Sequence, residues 1–348
     1  MQSDKLPFVS IIMSVHNEEM VIVEKIRSIY YTLYPMDKFE VLVGSDASSD
    51  GTNRICRVYK KNYPGFRFFE FSERQGKPAV INSLVNEARG QILIMTDAKV
   101  FFTIDTIFEL VKYFKEEKTA IVGGNILNEQ VRRDGISRQE KAFMSRELQI
   151  KYYEGLLWGK TIGVYGAIYA MRKDYWEPVP AGYSVDDFFI TMTVLRRKGQ
   201  AILNPDAITR ENVPNLLATE FRRKVRISSG NFQNLHHFRA CLWPPFTSLA
   251  FAFFSHKVIR WIGPFLILLL FASNSMLLDQ GLFYSISFFT QLILFILPLF
   301  DLFLRKIDVH VVLLRFVTHF FAMNAALLAG FFKHLFGIKT NIWQPTRR

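Results

Sequence analysis

The 348-residue sequence is poor in cysteine, with only Cys56 and Cys241. Two such thiols make no disulfide framework and no metal or redox cluster, and both read as ordinary reduced thiols. Acids are scarce in the last third. After Pro244 only Asp279, Asp301 and Asp308 remain, set among long apolar runs. No Gly-x-Gly-x-x-Gly follows the first apolar run and no Walker loop occurs, so dinucleotide and P-loop readings are weak. Residues 1–6 are polar and carry no signal-peptide pattern, so the soluble part is expected to stay in the cytoplasm. Internal repeats and low-complexity linkers are missing too.

What is present in excess is phenylalanine, at 34 residues, and positive charge, at +12. The apolar excess gathers after Pro244, which divides the chain into a charged domain and a part that belongs in or on a bilayer. The basic cluster 222–226 lies close to those apolar segments. Anionic headgroups and pyrophosphate substrates therefore suit the charge better than nucleic acid, which is not expected as a partner.

The first part alternates strand and helix patterns. Residues 8–15, 39–44, 66–71 and 92–95 read as strands, with 120–123 as a further one. Helical spacing occupies 18–33, a stretch from residue 52 to about residue 62, 79–88 and 104–116. Single short crossovers between successive strands imply a mostly parallel sheet with helices on both faces. The run 92–95 ends abruptly in Thr96-Asp97-Ala98-Lys99. A carboxylate just past a buried strand sits in the crevice where open α/β sheets bind ligands. Asp46 and Asp50, Lys77, and Asp97 with Lys99 all follow strands and gather at that edge, a set suited to a nucleotide diphosphate.

Further on, residues 162–171 read as a strand whose Gly163 and Gly166 permit close backbone approach. Asp186 and Asp187 open a helix running to residue 198. One of them is expected to cap it, and two adjacent acids also suit a general base, since like charges held close raise a pKa. Residues 232–260, with His236, His237 and Arg239, are too broken to span and suit an interface. Residues 261–278 and 282–304 read as a membrane hairpin with a short outer turn at 279–281, cations marking the cytoplasmic side. Residues 309–336 are long enough to span, but Arg315, His319 and Asn324 interrupt them, and an interfacial or re-entrant helix is the expectation.

Taken together these motifs resemble the family 2 glycosyltransferases, in particular the membrane-integrated branch related to cellulose, chitin and hyaluronan synthases. Residues 9–19 look like that family's opening strand and Asn-Glu turn, at Asn17 and Glu18. Asp46 with Ser49-Asp50-Gly51-Thr52 resembles its uridine-holding loop, and Gln75-Gly76-Lys77 its Gly-Lys element. Thr96 precedes Asp97, which stands first in an Asp-x-Asp motif. Asp186-Asp187 aligns with a Glu-Asp pair whose second member is the catalytic base, and Arg223-x-x-Arg226-Ile227 with a Gln-x-x-Arg-Trp motif near acceptor and pyrophosphate.

The resemblance implies a GT-A fold, Rossmann-like and mostly parallel, over residues 1–231. Interfacial helices (232–260), a transmembrane hairpin (261–304) and an amphipathic, re-entrant or third membrane helix with a basic Trp343-bearing tail (305–348) would follow. It also implies inverting transfer from a nucleotide sugar, UDP-linked by analogy, to a glycan or lipid-linked acceptor. Mg²⁺ or Mn²⁺ would sit at Asp97. A homo-oligomer or synthase complex is compatible. Lys99 departs from the second Asp of Asp-x-Asp, and Arg223 and Ile227 depart from Gln and Trp, which puts processive synthesis in doubt. A polyprenyl-phosphate acceptor, or a catalytically inactive sugar-nucleotide-binding partner of a synthase, is the alternative.

Overall fold

The computed structural model describes residues 6–129, 137–212, 217–307, 309 and 311–337. Its centre is β1 (Val9–Val15), whose successive side chains point to opposite faces and are almost all buried. Ile12 faces the same side as Leu42, Leu93 and Met95, and that side is covered by Val80, Ile81 and Leu84 of α3 (Lys77–Glu87). Ile11 and Met13 face the other side with Val41, Val43 and Ile94, under Ile22, Ile26 and Ile29 of α1 (Ile22–Tyr30). Two cores on two faces of one sheet account for strands that are apolar throughout rather than alternating.

The strand order is β3-β2-β1-β4-β7-β6-β8-β5. β2 (Phe39–Asp46), β3 (Phe66–Phe71) and β4 (Ile92–Thr96) run parallel to β1 in the expected way. α2 (Thr52–Asn62) follows β2. Beyond β4 the sheet is mixed. β7 (Ile168–Arg172) pairs antiparallel with β4 and with β6 (Thr119–Glu129). β8 (Gln200–Asn212) lies parallel to β6, and the two-residue β5 (Phe101–Phe102) closes the edge antiparallel to β8.

Two expected elements differ and one element is unexpected. The strand expected over 162–171 is confined to β7, because Gly163 takes φ +77° and residues 162–167 form a loop instead. The helix expected over 104–116 is α4 (Thr106–Val111), tightening to a 3₁₀ turn at Lys112–Lys115. β8 has no counterpart in the sequence reading. Pro205 interrupts its pattern, and the β6–β8 register shifts between Gly123 and Asn125.

α5 (Ser137–Trp158) and α6 (Asp186–Arg196) complete the sheet domain, and α7 (Leu217–Phe238) follows β8. α8 (Ser248–Ala252) continues through a π-helical turn, Phe253–Val258, into α9 (Ile259–Met276). The resulting run Ser248–Met276, α10 (Leu282–Lys306) and α11 (Val312–Leu335) are three helices long and apolar enough to cross a membrane. Of the polar interruptions of α11, His319 reaches the sheet domain, while Asn324 donates to the Phe320 carbonyl of its own helix at 2.9 Å. His319 Nε2 lies 2.7 Å from Glu140 Oε1, Arg315 is buried, and the Ser228 hydroxyl donates to the Leu327 carbonyl at 2.8 Å.

Candidate active site

The loops after β1 and β2 are laced together. The Asn17 side-chain oxygen accepts from the Ser49 amide at 2.8 Å, and the Asn17 amide donates to Ser48 Oγ at 3.1 Å. The Glu18 amide donates to Thr52 Oγ1 at 2.9 Å, and Glu19 Oε2 accepts from the Gly51 amide at 2.6 Å. Asp50 accepts the amides of Thr52 and Glu19 at 3.0 and 3.1 Å. Burial opposes its charge, but hydrogen bonds from Thr52 and from the Glu19 amide hold the carboxyl below its usual range. Asn17, Glu18 and Asp50 thus shape the crevice rim through contacts within the protein.

Asp46 ends β2 almost fully buried. It accepts from the Gln75 and Gly76 amides at 2.7 and 3.1 Å and from Arg74 Nε at 3.2 Å. That pins the loop carrying Lys77. Gly76 adopts φ +85°, a conformation that favours glycine, and α3 begins at the next residue. Beside this loop a depression of about 360 Å³ opens, lined by Ala47, Ser48, Asn53, Glu70, Phe71 and Ser72. A larger one, about 780 Å³, lies away from the strand ends, between α1 and residues 62–64.

Lys77 joins the two halves of the crevice. Its ammonium donates to Asp97 Oδ1 at 2.8 Å and stands 3.7 Å from Asp186 Oδ2. Burial disfavours the charge, yet Asp186 and Asp97 hold this lysine above its ordinary range. Asp186 and Asp187 are the first two residues of α6, after Val185 in the capping position. The expected side-chain cap is therefore not made. The Asp187 carboxylate instead accepts the adjoining Phe188 amide at 2.8 Å. Gly166 explains how it fits: a Cβ there would stand 2.8 Å from Asp187 Oδ2. Burial, and then the neighbouring Asp186, push the Asp187 carboxyl above the usual carboxylate range, against the pull of Lys77 and Lys151. A carboxylate raised in this way is a better proton acceptor near neutral pH than an ordinary one.

Lys99 occupies the position where a second carboxylate is expected, and its ammonium lies 3.4 Å from Glu18 Oε2. Burial raises the Glu18 carboxyl and Lys99 works in the opposite direction. Among the described residues no group of three His, Cys, Asp or Glu side chains is arranged to hold a metal. The donor set here is one carboxylate, Asp97, already in contact with Lys77. Sequence reasoning missed Lys25, which lies on the buried face of α1. It donates to Thr96 Oγ1 at 2.8 Å and to the Val100 carbonyl, and its ammonium stands 3.9 Å from the centre of the Phe102 ring. It underpins the turn that presents Asp97 and Lys99. Its only signal was a lysine among apolar residues at helical spacing.

Arg223 and Arg226 lie one turn apart on α7, close enough that the Arg223 charge adds to burial in lowering Arg226 from its ordinary value, but their hydrogen-bond partners differ. Arg226 donates to the Ser184 carbonyl at 3.2 Å, which fixes the segment leading into Asp186. Arg223 makes a bidentate pair with Glu220, at 2.8 and 2.9 Å, and stands 3.9 Å from Glu140. It braces α7 against α5 and is not part of the acidic cluster. Trp343 lies outside the described residues.

The profile of Glycosyl transferase family 2 matches residues 10–177, from β1 through β7 to just short of the Asp186-Asp187 pair. The "Probable glycosyltransferase YdaM" of Bacillus subtilis (strain 168) is 24% identical over 243 residues, 65% of this chain and 56% of that protein. "Glycosyltransferase AglE" of Haloferax volcanii is 31% identical over 121 residues, 35% of this chain and 40% of that one. The chain thus spans about half the length of these relatives. Among solved structures, "Mannosyltransferase PcManGT from Pyrobaculum calidifontis in complex with GDP-Man and Mn2+" superposes with a TM-score of 0.68 at 23% identity, covering 96% of this chain and 88% of that one. That likeness extends the GT-A fold and its C-terminal helices over nearly the whole chain. With the profile seated on the strands that build this crevice, residues 10–177 carry a family 2 glycosyltransferase domain.

Proposed function

We propose that this protein is a membrane-seated, inverting glycosyltransferase that moves a sugar from a nucleotide sugar to an acceptor hydroxyl, with Asp187 as base. The observation that carries the reading is Lys77, poised between Asp97 and Asp186 where three loops meet beside the Asp187 carboxylate. The depression beside Asp46 and Phe71 supplies a place for the nucleoside at the outer end of the same edge. A divalent cation fits only as one carried in with the diphosphate and held by Asp97. Mg²⁺ commonly binds in this way, through one or two carboxylates plus substrate oxygens, and bound there it would neutralise leaving-group charge.

In this mechanism the acceptor hydroxyl gives its proton to Asp187 as its oxygen attacks the anomeric carbon. The bond to the nucleoside diphosphate breaks on the opposite side, and configuration inverts. Lys77 shifts from its carboxylate partners toward the leaving phosphate, a preorganised positive charge where negative charge develops. Gly166 keeps the Asp187 carboxylate open to the acceptor, and Arg226 holds the segment ahead of Asp186 in register.

A UDP-linked donor and a role in envelope or extracellular polysaccharide synthesis follow from the resemblance to polysaccharide synthases. A lipid-phosphate acceptor is the second reading, supported by the basic residues of α7 beside the apolar helices. The sheet domain is assigned to the cytoplasmic face on the distribution of cations around the apolar helices. The test is incubation of membranes with labelled UDP-glucose, UDP-N-acetylglucosamine and GDP-mannose, followed by separation of organic-soluble from polymeric product. Label transferred from at least one donor supports the proposal, and its distribution identifies the acceptor class. Absence of transfer from every nucleotide sugar would favour a non-catalytic binding partner.

A further inference from the structure

α5 is built inside out. Its buried side carries Glu147, Lys151 and Glu154, while Tyr153, Leu156 and Leu157 stand 56, 65 and 67% exposed. A helix flanked by water places its apolar stripe inward and its charges outward. Here the charges are consumed against the helical run that begins at Ser248. Glu154 Oε1 lies 2.7 Å from His256 Nδ1, and Glu147 accepts from Lys257 at 2.5 Å and from Arg260 at 2.6 Å. The end of α5 is fastened to the same run. Trp158 meets Phe251 edge-on at 5.8 Å between ring centroids, and Lys160 donates to Ser248 Oγ at 2.5 Å. α5 therefore lies antiparallel to residues 248–260, with an ionic seam sealed between the two and aromatic and leucine side chains on the outside.

We propose that the outward face of α5, residues 150–158, inserts into the same bilayer as the C-terminal helices, so that the catalytic domain itself is part of the membrane seat. The inference rests on the membrane reading above and adds a surface to it. Two features select lipid over a protein partner. The face is continuous, through Trp158 and Phe251, with a helix long and apolar enough to span. Its 29 residues at about 1.5 Å each extend about 43 Å, near the 40–45 Å of a bilayer with its headgroup zones, so the Ser248 end reaches headgroup level. The outward side chains also include Tyr152, Tyr153 and Trp158, types that concentrate at that level, while the ionic seam satisfies its own charges, as ionisable groups at membrane depth must. The consequence is a crevice held at the lipid surface, which favours an acceptor that resides in the membrane.

The test uses the full chain with Cys241→Ser, Cys56 being fully buried. A nitroxide is attached at Leu157→Cys in vesicles of phosphatidylcholine and phosphatidylglycerol. Leu268→Cys in α9 and Met20→Cys on the sheet domain serve as membrane and water references. The Leu157 label should collide with oxygen in preference to a water-soluble nickel chelate, at a depth between the two references, with nickel collision severalfold below that of the Met20 label. A Leu157 label that behaves like Met20 while Leu268 reports lipid overturns the α5 proposal and leaves the membrane reading standing. Weak collision with both reagents, the mark of a protein contact, overturns it as well. A Leu268 label exposed to water overturns both.

Discussion

Asp187 sits where its ionisation is disfavoured, by burial first and by Asp186 second, and that same environment makes it a stronger base once ionised. The sign of the pH dependence follows. Only the ionised form accepts a proton, so activity should fall as pH drops through a value above the ordinary carboxylate range. Asp186→Asn removes the neighbouring charge and should move this acidic limb of kcat/KM to lower pH; a limb that stays put would show that Asp186 does not tune the base. The same shift bears on stability. Between the unfolded and the raised folded value the native state binds more protons, so the group's contribution falls as pH rises across that window. Lys99 concerns the leaving group. An ammonium repels a cation beside Asp97, so Lys99→Asp should lower the half-saturating Mg²⁺ or Mn²⁺ concentration for transfer. If metal titrations of wild type and variant superpose, residues 97–99 are not at the diphosphate.

At the scale of elements, close packing ties α11 to the catalytic side of the molecule. Gly330 lies so near α7 that a Cβ would stand 2.4 Å from Ser228 Cβ and 2.8 Å from the Val225 carbonyl. Gly330→Leu should force the helices apart and lower the thermal midpoint in detergent, at an overpacking penalty of about 1–3 kcal/mol. An unchanged midpoint would contradict the close crossing. The elements also show why some of this chain was legible and some was not. β1 to β4 and their loops could be read because short apolar runs stop abruptly at polar segments that carry Asp46, Lys77 and Asp97. β8 could not, because Pro205 breaks its run and its partner strand shifts register there. α5 hid its surroundings for a different reason: its polar residues face inward, which inverts the rule by which helix faces are assigned. At the site, the Glu220 partner of Arg223 lies only three residues away on one helix and is visible in the sequence, whereas the Glu19 amide that binds Asp50 comes from a different loop and is found only in three dimensions.

For the molecule as a whole, the proposed topology has the sheet domain on the cytoplasmic face and the turn at residues 279–281 outside. In intact cells an impermeant maleimide should label Gln280→Cys. α11 packs along α7, and on the proposed topology, in which it does not span the bilayer, Thr346→Cys should stay protected until the membrane is opened. Labelling of both in intact cells would make α11 a third span. Beneath topology lies the claim that one carboxylate at the start of α6 drives sugar transfer at the membrane surface. It is tested most directly by comparing wild type with Asp187→Asn in proteoliposomes, measuring transfer of labelled sugar and donor affinity in the same preparation. The amide keeps the shape and the Phe188 contact but accepts no proton, so the account requires transfer to fall by roughly two to four orders of magnitude with donor affinity unchanged. Transfer by Asp187→Asn at a rate comparable to wild type would contradict it.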